Sequence, residues 1–314
     1  MKNKKIVIAA GTGFIGTGMI DYFGSDNDIV ILTRHPVAGH GRVSYIKWDG
    51  RSLDTWSEQL ENADLLVNLA GKSVNCRYTE ENKQAIFDSR TNATSVLGAA
   101  IRTLQRPPAL WINAASATIY RHAEDRPMDE FTGEMENDFS VQVCKRWEAV
   151  FNEQKTPGTR KVILRIAVTL GHQGGVIAPY LNLIKFGLGG YQGSGRQQFS
   201  WVHINDVCRM MAWLYERPEL DGVFNCSAPH PVSNRQFMKT LRKAAGHLFG
   251  LPAFTWMLYI GARLIGTETE LLLKSRWVLP TRALQAGFVF EYPELQPAME
   301  NIIGQLPRRR YHLI

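Results

Sequence analysis

Three places in this chain combine residue types and spacing that could do chemistry. The first is Gly11-Thr12-Gly13-Phe14-Ile15-Gly16, a GxGxxG run. Glycines at that spacing let phosphate oxygens reach the backbone N–H groups where a helix begins, because a side chain in the turn would block the approach. The second is Thr33-Arg34-His35, at the end of the next apolar run. An NAD site usually holds Asp or Glu there, about 20 residues on from the glycines, to bind the ribose hydroxyls. Arg34 can instead hold a 2′-phosphate through a forked, charge-assisted contact, so NADP(H) is the expected cofactor.

The third is Ser116-Ala117-Thr118-Ile119-Tyr120, directly after the apolar Leu110-Trp111-Ile112. Folds of this kind place ligands at strand ends. The Ser116 hydroxyl could bond a substrate carbonyl or hydroxyl, or satisfy backbone groups nearby. Tyr120 is the nearest candidate acid, or a ring packed under the cofactor. His203 titrates near neutrality, as proton transfer requires, with Asp206 offering the other reading of a buried, hydrogen-bonded histidine. Arg77, Arg90 and Arg165 could each anchor an anionic substrate or serve in ion pairs. Cys76, Cys144, Cys208 and Cys226 form no CxxC pair and have no His at metal-binding spacing, and no nucleophilic triad can be assembled.

These groups need elements to hold them. Ile6–Ala10, Ile29–Leu32, Leu65–Val67, Leu110–Ile112 and Val162–Leu164 are short, continuously apolar runs, as expected of parallel strands covered on both faces. A helix is expected from about Thr79 to Leu104, with Ile86, Ala93, Leu97, Ile101 and Leu104 on one face and Glu80 and Glu81 near its start. Alternating strands and helices predict an α/β chain, a Rossmann-type doubly wound parallel sheet. The expected core covers residues 1–170, with segments near 200–228 returning to it. Residues 171–314 form a smaller C-terminal lobe on the substrate side, including a distinct region at about 250–304. Leu248–Ile260 is too short for the roughly 20 residues of a membrane span and contains Pro252, so it is read as a core or pocket segment.

The composition is ordinary for a globular protein, with 45% hydrophobic and 21% charged residues. The formal charge of +7 suits anionic ligands. Its basic residues are scattered apart from Arg308-Arg309-Arg310, which reads as a solvated tail, so no nucleic-acid or membrane partner is expected. Isolated thiols fit a reducing cytoplasm, and a monomer or homodimer acting on a small molecule is the expected form.

The sequence resembles the extended short-chain dehydrogenase/reductase superfamily, and within it the atypical NAD-dependent epimerase/dehydratase-like branch that carries the C-terminal domain DUF1731. Asn68-Leu69-Ala70-Gly71 is similar to the superfamily's Asn-Ala-Gly loop, and residues 116–120 to its serine segment. Gly187 to Gly190, Ser200 to His203 with Asp206, and Leu279-Pro280, Gly287-Phe288 and Pro293 resemble the branch's own signatures. The expected cofactor contacts are Gly11 to Gly16, Thr33, Arg34 and Asn68 to Gly71, and Ser116, Tyr120 and His203 are the catalytic candidates on the chemistry given above. Two positions depart from the pattern. Ala10 stands where the glycine motif normally begins. The Tyr-x-x-x-Lys pair, in which lysine lowers the tyrosine pKa, has no counterpart: alignment through Trp147-Glu148 puts Ser140 and Cys144 at those places, with Lys145 about 100° round the helix. The leading reading is an NADP(H)-dependent oxidoreductase or sugar-nucleotide-epimerase-like enzyme on a small polar substrate. The other is a non-catalytic NADP(H)-binding sensor or scaffold.

Overall fold

A computed structural model describes all of the chain except residues 266, 267, 269, 313 and 314. In chain order the strands are β1 (Lys5–Ala9), β2 (Asp28–Thr33), β3 (Val43–Lys47), β4 (Leu65–Asn68), β5 (Leu110–Ser116), β6 (Arg160–Ile166), β7 (Val168–Gly171), β8 (Gly174–Gly175), β9 (Gln198–Phe199), β10 (Trp201–His203), β11 (Gly222–Cys226) and β12 (Val232–Ser233). The helices are α1 (Phe14–Phe23), α2 (Glu80–Thr103), α3 (Phe139–Glu153), α4 (Ile177–Lys185), α5 (Ile204–Glu216), α6 (Asn234–Ala244), α7 (Thr255–Ile265), α8 (Glu270–Leu273), α9 (Thr281–Gln285) and α10 (Leu295–Gly304).

Seven strands form one parallel sheet in the spatial order β3-β2-β1-β4-β5-β6-β11. Successive side chains on a strand point to opposite faces. Ile6, Ile8, Ile29, Ile31, Leu65 and Val67 pack on one face under Met19 and Phe23 of α1 and Val207, Met210 and Leu214 of α5. Val7, Ala9, Val30, Leu32, Leu66 and Trp111 pack on the other under Ala93, Leu97 and Ile101 of α2 and Phe151 of α3. Burial of both faces is why the strands read as unbroken apolar runs. All five predicted runs lie in this sheet. β3 was not among them: it is the outer strand, its residues mostly outside the core, so its sequence carries no apolar run.

The predicted long helix is α2. Thr79 caps it, the Thr79 side chain accepting from the Asn82 N–H at 3.2 Å, and Ile86, Ala93, Leu97 and Ile101 are buried. Leu104 lies just past its end as the C-cap.

Around the strand ends a second group of elements packs on its own apolar cluster. It includes Ile177, Leu181 and Ile184 of α4, Phe237 and Leu241 of α6, and Met299 and Ile302 of α10. The glycine-rich segment 187–193 lies backbone to backbone against residues 251–253, through Gly190 N–H to Leu251 O at 3.0 Å and Leu251 N–H to Gly187 O at 2.8 Å. A Cβ at Gly190 would stand 2.4 Å from the Leu251 carbonyl carbon, so this approach needs glycine. Of the expectation of a core or pocket segment at 248–260, the core part is corrected: Leu248, Phe249, Leu251, Phe254, Trp256 and Tyr259 are exposed and Leu258 is buried, the chain meeting segment 187–193 through its backbone.

Residues 275–279 thread between the loop after β5 and the segment of β9 and β10 at residues 198–200. Met128 N–H donates to Trp277 O at 2.7 Å and Leu279 N–H to Met128 O at 2.9 Å. On the other side Arg276 N–H donates to Gln198 O at 2.9 Å and Ser200 N–H to Arg276 O at 3.1 Å. A segment far along the chain is thereby fixed beside the ends of β5 and β6.

Candidate active site and dinucleotide cradle

The turn from β1 into α1 uses its three motif glycines in three ways. A Cβ at Gly11 would meet Ile8 Cγ2 at 2.8 Å and Ile31 Cδ1 at 2.9 Å, so that glycine seats the turn on the sheet. A Cβ at Gly16 would lie 2.0 Å from the Gly11 carbonyl oxygen, so that one closes the turn. At Gly13 a Cβ would meet nothing within 4 Å. Gly13 is also the N-cap of α1, and no side chain caps the helix there. Uncapped N–H groups facing open space are what an anionic pyrophosphate needs. Thr12 is exposed, Ile15 packs against the sheet core, and Phe14 supports the loop from below: Gly171 and Gly175 approach its ring so closely that a Cβ would come within 3.0 Å and 2.9 Å. Gly18 has no place in the motif, yet it lets α1 meet Ile204 of α5, where a Cβ would fall 2.4 Å from Cγ1.

Ala10 opens this turn at φ +57°, in the left-handed region. That conformation costs an alanine about 1–2 kcal/mol, partly offset by the flexibility a glycine would bring to the unfolded chain. Ala10→Gly is therefore expected to stabilise the protein by roughly 0.5–1 kcal/mol. Urea denaturation checks this, and a lowered midpoint would show that the alanine methyl contributes more than the strain it imposes.

At the end of β2, Thr33 is buried and its hydroxyl accepts from the His35 N–H at 3.3 Å. Arg34 is exposed, and among the described residues no carboxylate pairs with it. At the end of β4, Asn68 is fully buried. It donates to Asn113 Oδ1 at 2.7 Å and Thr94 Oγ1 at 3.1 Å, and accepts from the Ala70 N–H at 3.1 Å. Leu69 N–H bonds Ala9 O at 3.0 Å, tying this loop to the cradle. Gly71 leaves room for the Arg90 guanidinium, whose Cζ would be 2.8 Å from a Cβ.

At the ends of β5 and β6 is a cavity of about 120 Å³ lined by Ser116, Ala117, Thr118, Ile166, Ala167, Val168, Ser200 and Arg276. Ser116 accepts from the Thr118 N–H at 3.2 Å through its hydroxyl oxygen, leaving the O–H proton free to donate. Tyr120 and His203 are not in this lining. The Tyr120 hydroxyl donates to Asn225 Oδ1 at 3.0 Å and accepts from Arg165 Nη1 at 2.9 Å, and burial raises its pKa. His203 is the N-cap of α5: its Nδ1 accepts from the Asn205 N–H at 3.1 Å, and its ring lies on Tyr292. Burial pulls its pKa to about 4, so it is neutral at physiological pH. Asp206, beside it in sequence, accepts from the Glu291 and Tyr292 N–H groups.

The glycine cradle, the strand-end serine and the sheet order together describe a dinucleotide-binding fold. The model of the NAD dependent epimerase/dehydratase family matches residues 6–227. The chain belongs to that family. Residues 253–302 match a second model, the domain of unknown function DUF1731. Epimerase family protein SSP1921 of Staphylococcus saprophyticus is 33% identical over 96% of this chain and 99% of its own length. Among solved structures, human epimerase family protein SDR39U1 (isoform 2) with NADPH is 28% identical, with a TM-score of 0.83 over 96% of this chain and 100% of that one. The nucleoside-diphosphate sugar epimerase of Corynebacterium glutamicum, at 24% identity and a TM-score of 0.75, covers 96% of this chain and 58% of its own; it shares the fold.

The two positions aligned above with the superfamily's tyrosine–lysine pair lie in α3. Ser140 and Cys144 are both buried in α3. Burial pushes the Cys144 thiol up to about 12, so it is a neutral packing group. Lys145 turns away and donates to Glu136 O at 2.8 Å. Of the three arginines singled out in the sequence, Arg165 is held by Glu148 and Arg77 pairs with Glu268 at 3.6 Å, while Arg90 lies on the Trp147 ring with no carboxylate paired to it among the described residues. Arg276 lines the cavity and was not among them. Nothing local marks it: it reaches the site only because residues 275–279 are bonded between two distant loops.

Proposed function

We propose that this family member is an NADP(H)-dependent oxidoreductase or epimerase-like enzyme that turns over a small polar molecule at the ends of β5 and β6. The observation that carries the cofactor choice is Arg34, exposed at the end of β2 with no acidic residue in Thr33-Arg34-His35. The NADPH in the human relative's structure supports the same choice. The cradle fits the group: open space at Gly13, an uncapped helix start and a free guanidinium one strand away. When bound, NADPH supplies a hydride. The chain supplies binding at residues 11–16, at Thr33 and Arg34, and along the Asn68–Gly71 loop, while Ser116 orients a substrate oxygen. Four free thiols support a reducing, cytoplasmic setting. One observation favours the sensor or scaffold reading instead, the replacement of the proton-donating pair by Ser140 and Cys144; turnover of a substrate would decide against it.

Fluorescence titration tests the cofactor choice. NADPH should bind more tightly than NADH, and Arg34→Glu should narrow or reverse the difference, because one paired phosphate contact is worth on the order of 2 kcal/mol. Equal affinity for the two nucleotides in the unmodified protein would overturn it.

A further inference from the structure

The cavity beside Ser116 contains a guanidinium, that of Arg276, which forms no ion pair among the described residues. Arg276 Nε donates to Thr118 Oγ1 at 3.2 Å and Nη1 to Lys274 O at 3.4 Å. Nη2 has no acceptor among the described residues. The two carboxylates whose charge reaches it, Glu270 and Asp138, lie on Lys274: Asp138 bonds that ammonium closely and Glu270 stands 3.9 Å from it, as does Glu136. Lys274 therefore gathers three carboxylates while Arg276, two residues on, has no ion pair among the described residues. A second guanidinium with no carboxylate paired to it among the described residues, Arg90, gives its N–H groups to the carbonyls of Lys72 and Ile86. Cys144, which interacts electrostatically with both arginines, is neutral and adds no negative charge.

Burial pulls the pKa of Arg276 and of Arg90 down, the mark of cations held away from water. Arginine nevertheless stays protonated; the charges of Glu270 and Asp138 favour its charged form, but the desolvation outweighs them and no carboxylate among the described residues forms an ion pair with it. Its position is fixed by the backbone rather than by chance of rotamer. The Arg276 carbonyl accepts from both the N–H and the hydroxyl of Ser200, at 3.1 Å and 2.7 Å, and its N–H donates to Gln198 O.

We propose that this cavity is a carboxylate pocket: Arg276 takes the carboxylate of a small oxo- or hydroxy-acid, and the Ser116 hydroxyl donates to the acid's neighbouring oxygen. The proposal rests on the reading of the strand ends as the substrate site. The guanidinium fork matches a carboxylate in two parallel hydrogen bonds. A cavity of about 120 Å³ has room for the polar end of a small acid. The aliphatic wall of Ile166, Ala167 and Val168 faces its short carbon chain.

Oxamate is the probe, titrated calorimetrically into the full-length protein with and without NADPH. Oxamate should bind, and oxamide, its neutral counterpart, should not. Arg276→Met should weaken oxamate about ten- to a hundredfold while leaving NADPH affinity unchanged. Arg276→Lys, which keeps the charge but loses the fork, should weaken it by less and guards against a Met variant that fails to fold. Undiminished oxamate binding in either folded variant, equal binding of oxamide, or no oxamate binding at all overturns the pocket. Inorganic phosphate displacing oxamate at lower concentration overturns the carboxylate assignment. Oxamate binding in a protein that binds no NADPH would sink the cofactor reading and leave the pocket standing.

Discussion

Gly13→Val is expected to give a folded protein that has lost at least a hundredfold in dinucleotide affinity. The two halves of that result have separate causes. Gly13 sits at φ −86°, ψ −177°, extended backbone that valine adopts readily, and a Cβ there meets no protein atom within 4 Å. Folding therefore has no reason to suffer. The same open space is where phosphate oxygens must reach the uncapped N–H groups of α1, and a branched side chain would fill it. Gly16→Val supplies the contrast. Its Cβ would fall 2.0 Å from the Gly11 carbonyl oxygen, so stability and binding should fail together. Circular dichroism with nucleotide titration separates the two variants. A folded Gly13→Val protein that still binds NADPH would move the cofactor away from this turn.

The largest stability effect is expected at Glu148, which is buried in an ion pair with Arg165. Arg165 reaches its carboxylate with two parallel bonds, Nε to Oε1 and Nη2 to Oε2, both at 2.8 Å. The third arm of the guanidinium donates to the Tyr120 hydroxyl, which donates to Asn225, whose amide in turn donates to Leu279 O at 2.9 Å. One network thus ties α3, β6, β11, the turn after β5 and the C-terminal segment. The Arg165 and Glu148 side chains are only 7% and 10% exposed. Glu148→Ala would strand a buried cation, which typically costs about 3–5 kcal/mol. Replacing both partners with apolar residues, Glu148→Leu with Arg165→Met, should recover much of that loss because no charge is left unpaired. Urea unfolding measures both. A loss below about 1 kcal/mol in Glu148→Ala would mean that water reaches the pair and screens it.

That network also explains the position of Tyr120. From the sequence it is the nearest acid to Ser116, four residues on. In the fold its hydroxyl is held by Arg165 and Asn225, which lie 45 and 105 residues away in the chain. His203 follows the same logic: its ring closes the start of a helix and is kept neutral by burial.

By itself the sequence determined the sheet, the family and the glycine cradle. Each is written in short-range terms: apolar runs for strands buried on both faces, a repeating apolar face for α2, and glycines at fixed spacing for a turn that a Cβ would close. Arg34 was legible for the same reason, since it lies at a set distance beyond that turn. What only the tertiary structure decided is which polar side chains share a space. Arg276 and Ser116 are 160 residues apart and meet through backbone bonds from 275–279 to two separate loops, none of which has a local pattern. Which cations keep a partner was decided there too, because pairing depends on where the carboxylates fall in space. Lys274 draws in Asp138, Glu136 and Glu270, Arg165 takes Glu148, and Arg276 is left lining the cavity without an ion pair among the described residues.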